Sequence, residues 1–134
     1  MDCPALASDV VVVDDDARVR TLMLHVLERA GLSAVGFDSP LEALEHVLAH
    51  PPRALLTDFS MPELDGAGLA EAVRNALGER SPRIMLLTRD PRAVRARDKH
   101  LFDLILGKPW ESHVVISAVL PWVRASVPPV AHVG

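Results

Sequence analysis

The sequence lacks several features that mark particular classes of protein. Cys3 is the only cysteine among 134 residues, so no internal disulfide can form. The net charge is −4, and lysine and arginine form no long run, which is not typical of a nucleic-acid-binding protein. There is no apolar stretch of membrane-spanning length, and the first residues contain no signal-peptide core. We therefore expect a cytoplasmic protein with no membrane partner and no nucleic-acid partner.

The length and the apolar content predict a single domain. A chain of 134 residues with 49% hydrophobic residues can build one core. Eleven prolines fall mostly between the periodic segments, where they end helices and strands. We expect a lead-in at residues 1–8, one domain at 9–126 and a tail at 127–134.

Apolar runs and helical periodicity alternate along the chain. Continuous apolar runs at residues 10–13, 33–37, 54–56, 83–87 and 104–106 predict five buried parallel strands. Amphipathic helices are predicted after the first three strands and after the fifth, with Leu22, Leu41 and Leu48 on the apolar faces of the first two. Asp16 and Ser39 are predicted as N-caps, and Gly31 and Gly78 are predicted to end their helices. Residues 89–100 indicate only a short or marginal helix near Pro91. Strands joined by helix-length connections predict a doubly wound α/β fold with a parallel five-stranded sheet and helices on both faces.

Chemically active side chains follow four of the predicted strands: Asp14 and Asp15, Asp58, Thr88 and Lys108. A parallel sheet brings these positions to one edge, where ligands of open α/β sheets bind. Three carboxylates in one place repel each other unless a cation lies among them, and Mg²⁺ or Mn²⁺ prefers such oxygen ligands. A carboxylate nucleophile with a metal, a lysine and a hydroxyl is typical of phosphoryl transfer.

Each of these residues also has a plainer interpretation. Asp58 alone could be a turn residue, and Asp14 and Asp15 alone could be solvated acids at a helix start. Thr88 alone could be a turn hydroxyl, and Lys108 alone a surface cation. Their joint placement at four strand ends favours a shared site.

The chain resembles the receiver domain of two-component response regulators, a group that includes the single-domain chemotaxis regulators. The resemblance rests on the acidic pair after the first strand, the segment Asp58-x-x-Met-Pro-x-x-Asp-Gly, Thr88, and the pair Lys108-Pro109. It covers residues 9 to about 126 and implies a flavodoxin-like (βα)5 fold with strand order 2-1-3-4-5.

The resemblance also implies a mechanism and partners. Asp58 would accept a phosphoryl group from a histidine of a sensor kinase or phosphotransfer protein, with Lys108 beside it and Thr88 moving toward the phosphoryl group. Asp15, Asp58 and the Ser60 carbonyl would bind Mg²⁺ directly, and Asp14 would assist through water. The Lys108–Pro109 bond would be cis. Such a chain is a signalling domain rather than a turnover enzyme, and its downstream target is unknown. The fourth helix, fifth strand and fifth helix would offer a surface for a homodimer.

Some positions depart from the family pattern. Arg89 stands where the family usually has a small residue, and Ile105 replaces an aromatic switch residue. Leu101 and Phe102 replace a Gly-Ala pair, and the stretch from Thr88 to Lys108 is slightly short. We therefore predict an altered lifetime of the phosphorylated state and an atypical output.

Other functions remain open at this point. A degenerate receiver could act as an interaction module without phosphorylation. Asp14-x-Asp16 also fits, superficially, an aspartate-dependent phosphatase of the haloacid dehalogenase type. The pair His46 and His50 has metal-binding spacing without an apparent third ligand. The basic residues of 89–99 are interrupted by Asp90 and Asp98, so we do not expect them to bind nucleic acid.

Overall fold

The computed structural model describes residues 8–125. Its strands are β1 (Val10–Val13), β2 (Ala34–Phe37), β3 (Ala54–Asp58), β4 (Arg83–Thr88) and β5 (Leu104–Gly107). Its α-helices are α1 (Ala17–Arg29), α2 (Pro40–Ala49), α3 (Gly66–Leu77) and α4 (Ser112–Ala125). The predicted lead-in, apart from Ser8, and the predicted tail lie outside the described residues. None of the described helices is long and apolar enough to cross a membrane.

The five strands form one parallel sheet in the order β2-β1-β3-β4-β5, as predicted. The register places Val13 opposite Thr57, Thr57 opposite Leu86 and Thr88 opposite Gly107. All strands therefore end at the same edge of the sheet. The side chains that follow the strands meet there.

The core has two layers, one on each face of the sheet. Alternate residues of a strand point to opposite faces, so Val11 and Leu55 pack toward α2 and α3, whereas Val12 and Leu56 pack toward α1 and α4. Because helices cover both faces, the central strands are apolar at successive positions. This arrangement confirms the predicted doubly wound fold.

The predicted helix ends are largely correct. The Asp16 carboxylate accepts from the Arg18 amide at the start of α1, and the Ser39 hydroxyl accepts from the Glu42 amide at the start of α2. Gly31 and Gly78 follow α1 and α3 with φ values of 89° and 57°, a region that favours glycine.

The short helix predicted near Pro91 is present only as 3₁₀ structure, so the fourth of the five predicted helices is not an α-helix. Between β4 and β5, residues 89–103 form the β4–β5 connection, which contains two 3₁₀ helices, Pro91–Ala93 and Ala96–Leu101, and no α-helix. Within it, the buried apolar residues are Val94, Leu101 and Phe102, and their spacing does not make a helical stripe. The helix expected to share a homodimer surface is therefore absent from this connection.

Two helices bury a narrower stripe than the sequence predicts. In α1, Met23 and Leu27 are buried, but Leu22 is 53% exposed. In α2, Ala43 and Val47 are buried, whereas Leu41 and Leu48, also predicted to face the core, are exposed. Each helix lies against the sheet along one line of contact, so the residues flanking that line stay in solvent.

Arg74 and Asp103 fasten the β4–β5 connection to the rest of the fold. The Arg74 guanidinium donates to the Leu101 carbonyl at 2.8 Å and to Asp103 Oδ2 at 3.0 Å. Asp103 Oδ2 also accepts from the Ile84 amide at 2.8 Å, and its Oδ1 accepts from Arg83 at 3.2 Å. Burial alone would raise the pKa of Asp103, but the Ile84 amide and Arg74 outweigh it and hold the pKa below its ordinary value.

We expect Asp103→Ala to lower the free energy of unfolding by about 1–3 kcal/mol, because it leaves the Ile84 amide without its acceptor and removes the ion pair with Arg74. The matched control is Asp98→Ala in the same connection. Among residues 8–125, the Asp98 carboxylate forms an ion pair only with Arg97, at 3.8 Å, so its loss should cost less than about 0.5 kcal/mol. Urea unfolding at neutral pH measures both.

Because the pKa of Asp103 is lower in the folded protein than in the unfolded chain, the ionised carboxylate stabilises the fold at pH values above its ordinary pKa. This contribution is lost as the pH falls through the lowered pKa. The difference between native protein and Asp103→Ala should therefore shrink in acid. Equal losses for Asp103→Ala and Asp98→Ala at neutral pH would contradict the role assigned to Asp103.

Candidate functional site

A lysine and two aspartates form the centre of the site at the carboxyl edge of the sheet. Lys108 Nζ lies 3.0 Å from Asp58 Oδ1 and 3.3 Å from Asp14 Oδ2. Asp14 follows β1, Asp58 ends β3, and Lys108 follows β5. All three side chains are largely withdrawn from solvent, so their charges interact more strongly than surface charges do. The structure thus brings together residues far apart in the sequence, as predicted.

Asp15 completes a cluster of three carboxylates. One oxygen each from Asp14, Asp15 and Asp58 lies within 4.8 Å of the others. Lys108 balances one of the three negative charges, and Asp15 is exposed to solvent. An all-oxygen donor set with surplus negative charge and access to water fits a hard divalent cation such as Mg²⁺.

Asp14 is the carboxylate of the cluster whose charge is destabilised by burial. Burial raises the pKa of the Asp14 carboxyl above its ordinary value, although the Asp16 amide and Lys108 oppose the shift. The Asp16 amide donates to Asp14 Oδ1 at 2.9 Å. Repulsion from Asp58 adds to the effect of burial. The ionised carboxylate is therefore kept in this position at a cost to the fold.

The two oxygens of Asp58 differ in their contacts. Oδ1 accepts from the Phe59 amide at 2.9 Å and from Lys108 at 3.0 Å. Oδ2 accepts no hydrogen bond from any residue between 8 and 125. One oxygen thus orients the carboxylate, and the other is available to a ligand or a reacting group.

A cleft of about 620 Å³ opens over these carboxylates. Ser60, Thr88 and Arg89 line it together with the charged cluster. Thr88 is buried, and its hydroxyl accepts from the Asp90 amide at 3.2 Å. Arg89 is exposed at the mouth of the cleft and forms no ion pair with another described residue.

Two further predictions concern β5 and the residues that follow it. The Lys108–Pro109 peptide bond is cis, as expected. Ile105 does not line the cleft. It packs with the core cluster that contains Val94 and Phe102.

Two residues important for the site were not predicted. Gly66 begins α3 close to the backbone of Asp58, and a Cβ there would lie 2.6 Å from the Asp58 carbonyl oxygen. Arg20 on α1 donates to the Asp14 carbonyl at 2.8 Å. The Asp-Gly pair indicated a turn but not this close contact, and nothing in the sequence pattern distinguishes Arg20 from other arginines of α1.

Two other candidates lose support. The Asp16 side chain caps α1, which explains the Asp14-x-Asp16 pattern without a phosphatase role. The His46 ring lies 5.0 Å from Phe37 and 5.5 Å from His50, measured between centroids. No third metal ligand joins the two histidines among residues 8–125.

A model of the response regulator receiver domain family matches residues 10–120. The chain belongs to this family. The curated relatives include the DNA-binding transcriptional regulator NtrC of Escherichia coli K12, which is 30% identical over 115 residues covering 82% of this chain. The response regulator receiver protein CpdR of Brucella abortus is 38% identical over 61 residues covering 46% of this chain. The chain spans 24% of NtrC and 51% of CpdR in these matches.

Solved structures share its fold. A response regulator receiver domain protein from Clostridium thermocellum has a TM-score of 0.78 at 20% identity and covers 90% of this chain and 96% of its own. Chemotaxis protein CheY4 of Vibrio cholerae has a TM-score of 0.73 at 22% identity and covers 86% of this chain and 98% of its own. At these identities, the likeness concerns the fold alone.

We expect Asp14→Asn to raise the free energy of unfolding by about 1 kcal/mol without divalent cations, because it removes a desolvated charge but keeps an acceptor for the Asp16 amide. The control is Asp38→Asn, which changes an exposed aspartate outside the cleft. Adding Mg²⁺ should raise the melting temperature of the native protein more than that of Asp14→Asn. A destabilised Asp14→Asn protein would mean that attraction to Lys108 outweighs the cost of burial.

Proposed function

We propose that Asp58 accepts a phosphoryl group from a histidine of a sensor kinase or of a phosphotransfer protein. The placement of Lys108 between Asp58 and Asp14 is the observation that carries the proposal. Lys108 holds the Asp58 carboxylate by Oδ1 and leaves Oδ2 available at the floor of an open cleft. An ion pair that only stabilised the fold would not require an open cleft above it.

The proposed reaction is a direct transfer. The P–N bond of the phosphohistidine breaks as a carboxylate oxygen of Asp58 forms a bond to phosphorus, and the imidazole leaves with the electron pair of the broken bond. The cationic Lys108 stabilises the negative charge on the phosphoryl oxygens. Thr88, one strand away, supplies a hydroxyl that can move from the Asp90 amide to a phosphoryl oxygen.

A divalent cation fits the carboxylate cluster. Asp15, Asp58 and the Ser60 carbonyl would hold Mg²⁺ or Mn²⁺, with Asp14 assisting. The ion would neutralise the carboxylates and the incoming phosphoryl group. Three carboxylates surround the single charge of Lys108, and this excess of negative charge would attract such an ion.

The consequence of phosphorylation is a signal rather than a product. A receiver domain passes its state to a downstream protein, and we propose the same for this chain, in the cytoplasm. Position 105 is Ile rather than an aromatic residue, so we propose that the response passes through the packing of Ile105 against the core cluster that contains Val94 and Phe102. A homodimer would use this connection, β5 and α4 in place of the missing helix.

Intact mass after incubation with acetyl phosphate and Mg²⁺ tests the phosphoacceptor. We expect one added phosphoryl group on the native protein and none on Asp58→Asn, because the amide is not a nucleophile. Omitting Mg²⁺ should abolish the addition. Addition to both proteins would identify a different aspartate, and addition to neither would favour an interaction module that works without phosphorylation.

Arg89 should control how long the phosphoryl group remains. We expect Arg89→Ala to shorten the lifetime of the phosphorylated state several-fold, because the guanidinium at the mouth of the cleft attracts the phosphoryl group and restricts the approach of water. Arg92→Ala is the matched control, since Arg92 is exposed in the same connection and does not line the cleft. Decay of the phosphorylated mass after removal of acetyl phosphate measures the lifetime. Equal lifetimes for native protein and Arg89→Ala would overturn this role.

A further inference from the structure

The β4–β5 connection carries exposed positive charge that the phosphorylation site does not use. Residues 89–99 contain two carboxylates and five exposed cations: Arg89, Arg92, Arg95, Arg97 and Lys99. The whole chain has a net charge of −4. The connection is therefore a basic surface on a protein that is acidic elsewhere.

These cations do little for the fold. Arg92 lies 3.7 Å from Asp90, and Arg97 lies 3.8 Å from Asp98. Both pairs join near neighbours, and the Arg92 side chain is 95% exposed, so neither pair contributes much to stability. Arg95 forms no ion pair with any residue between 8 and 125. Arg74, by contrast, is the arginine that holds the connection in place.

Buried residues hold the backbone of the β4–β5 connection against the core. Val94, Leu101 and Phe102 are buried in the core, and Arg74 binds the Leu101 carbonyl. The Asp90 carboxylate accepts from the Arg92 amide and fixes the first 3₁₀ turn. A partner would thus meet charges on a pre-formed surface, which lowers the entropy lost on binding.

We propose that this surface binds an acidic segment of a partner protein. Four of its five cations are arginines, whose guanidinium groups pair with carboxylates through two parallel hydrogen bonds. Arg95 and Arg97 border a groove whose lining also holds Asp65, Glu71 and Asp98, so carboxylates outnumber guanidinium groups inside it. The acidic segment therefore lies along the exposed guanidinium groups of the connection rather than inside the groove.

A nucleic acid fits this surface less well. No Phe, Tyr or Trp stands among residues 89–100, which leaves His100 as the one ring of the connection's exposed face that could stack on a base. Asp90 and Asp98 interrupt the cations, so a uniformly charged phosphate backbone would meet carboxylates along its path. A peptide can place its carboxylates opposite the arginines and its neutral residues opposite Asp90 and Asp98.

The test uses a fluorescein-labelled synthetic peptide of alternating glutamate and serine, with fluorescence anisotropy on the unphosphorylated protein. We expect binding that weakens about tenfold in the triple variant Arg92→Ala, Arg95→Ala, Arg97→Ala, as the loss of three exposed ion pairs implies. The control replaces three exposed arginines elsewhere, Arg18, Arg29 and Arg124, and should bind as the native protein does. Arg89 is left unchanged in both because it also lines the phosphorylation cleft.

Two further probes make the result decisive. A peptide with glutamine in place of glutamate should not bind, and an oligothymidylate of equal length should bind more weakly than the glutamate peptide. In the native protein, backbone amide NMR shifts of residues 89–101 should move on addition of the peptide, while those of α1 should not. No binding, equal weakening in both triple variants, or preference for oligothymidylate would overturn the proposal. The measurement does not depend on Asp58, so failure of phosphorylation would leave it unaffected.

Discussion

The attraction between one ammonium group and two carboxylates at the edge of the sheet is the interaction on which the site depends. A parallel sheet with all its strands ending at one edge collects the residues that follow them, whatever their charge. Here it collects Asp14, Asp15 and Asp58, which repel each other, and Lys108, which holds two of them together. Burial still raises the pKa of Asp14 above its ordinary value, so the attraction does not remove the cost of burial. The fold keeps a negatively charged pocket that a cation can complete.

The central part of the fold follows from rules that act over short stretches of chain. Uninterrupted apolar runs predicted the strands, and capping residues such as Asp16 and Ser39 predicted where helices begin. The strand order came from the resemblance to a family, because the local pattern of a strand does not say which strand is its neighbour. The residues of the site were predictable because the end of each strand can be recognised in the sequence, and all the strand ends meet at one edge of a parallel sheet.

The errors arose where tertiary contacts decide the local structure. Arg74 is on α3, yet its bonds to Leu101 and Asp103 determine the path of a connection almost thirty residues later. Helical periodicity contains no trace of such a contact. In the same way, Leu22 and Leu41 belong to apolar stripes but are exposed, because the packing of each helix on the sheet decides which edge of a stripe is covered.

Gly66 shows how the position of a functional side chain can depend on a neighbour that has no side chain. The start of α3 lies so close to the Asp58 carbonyl that even a methyl group would push the helix away from β3. The contact between the helix and the strand therefore fixes the position of Asp58 in its cleft. A residue that takes no part in the chemistry thus limits which amino acids this position can hold, because any side chain would meet the Asp58 backbone.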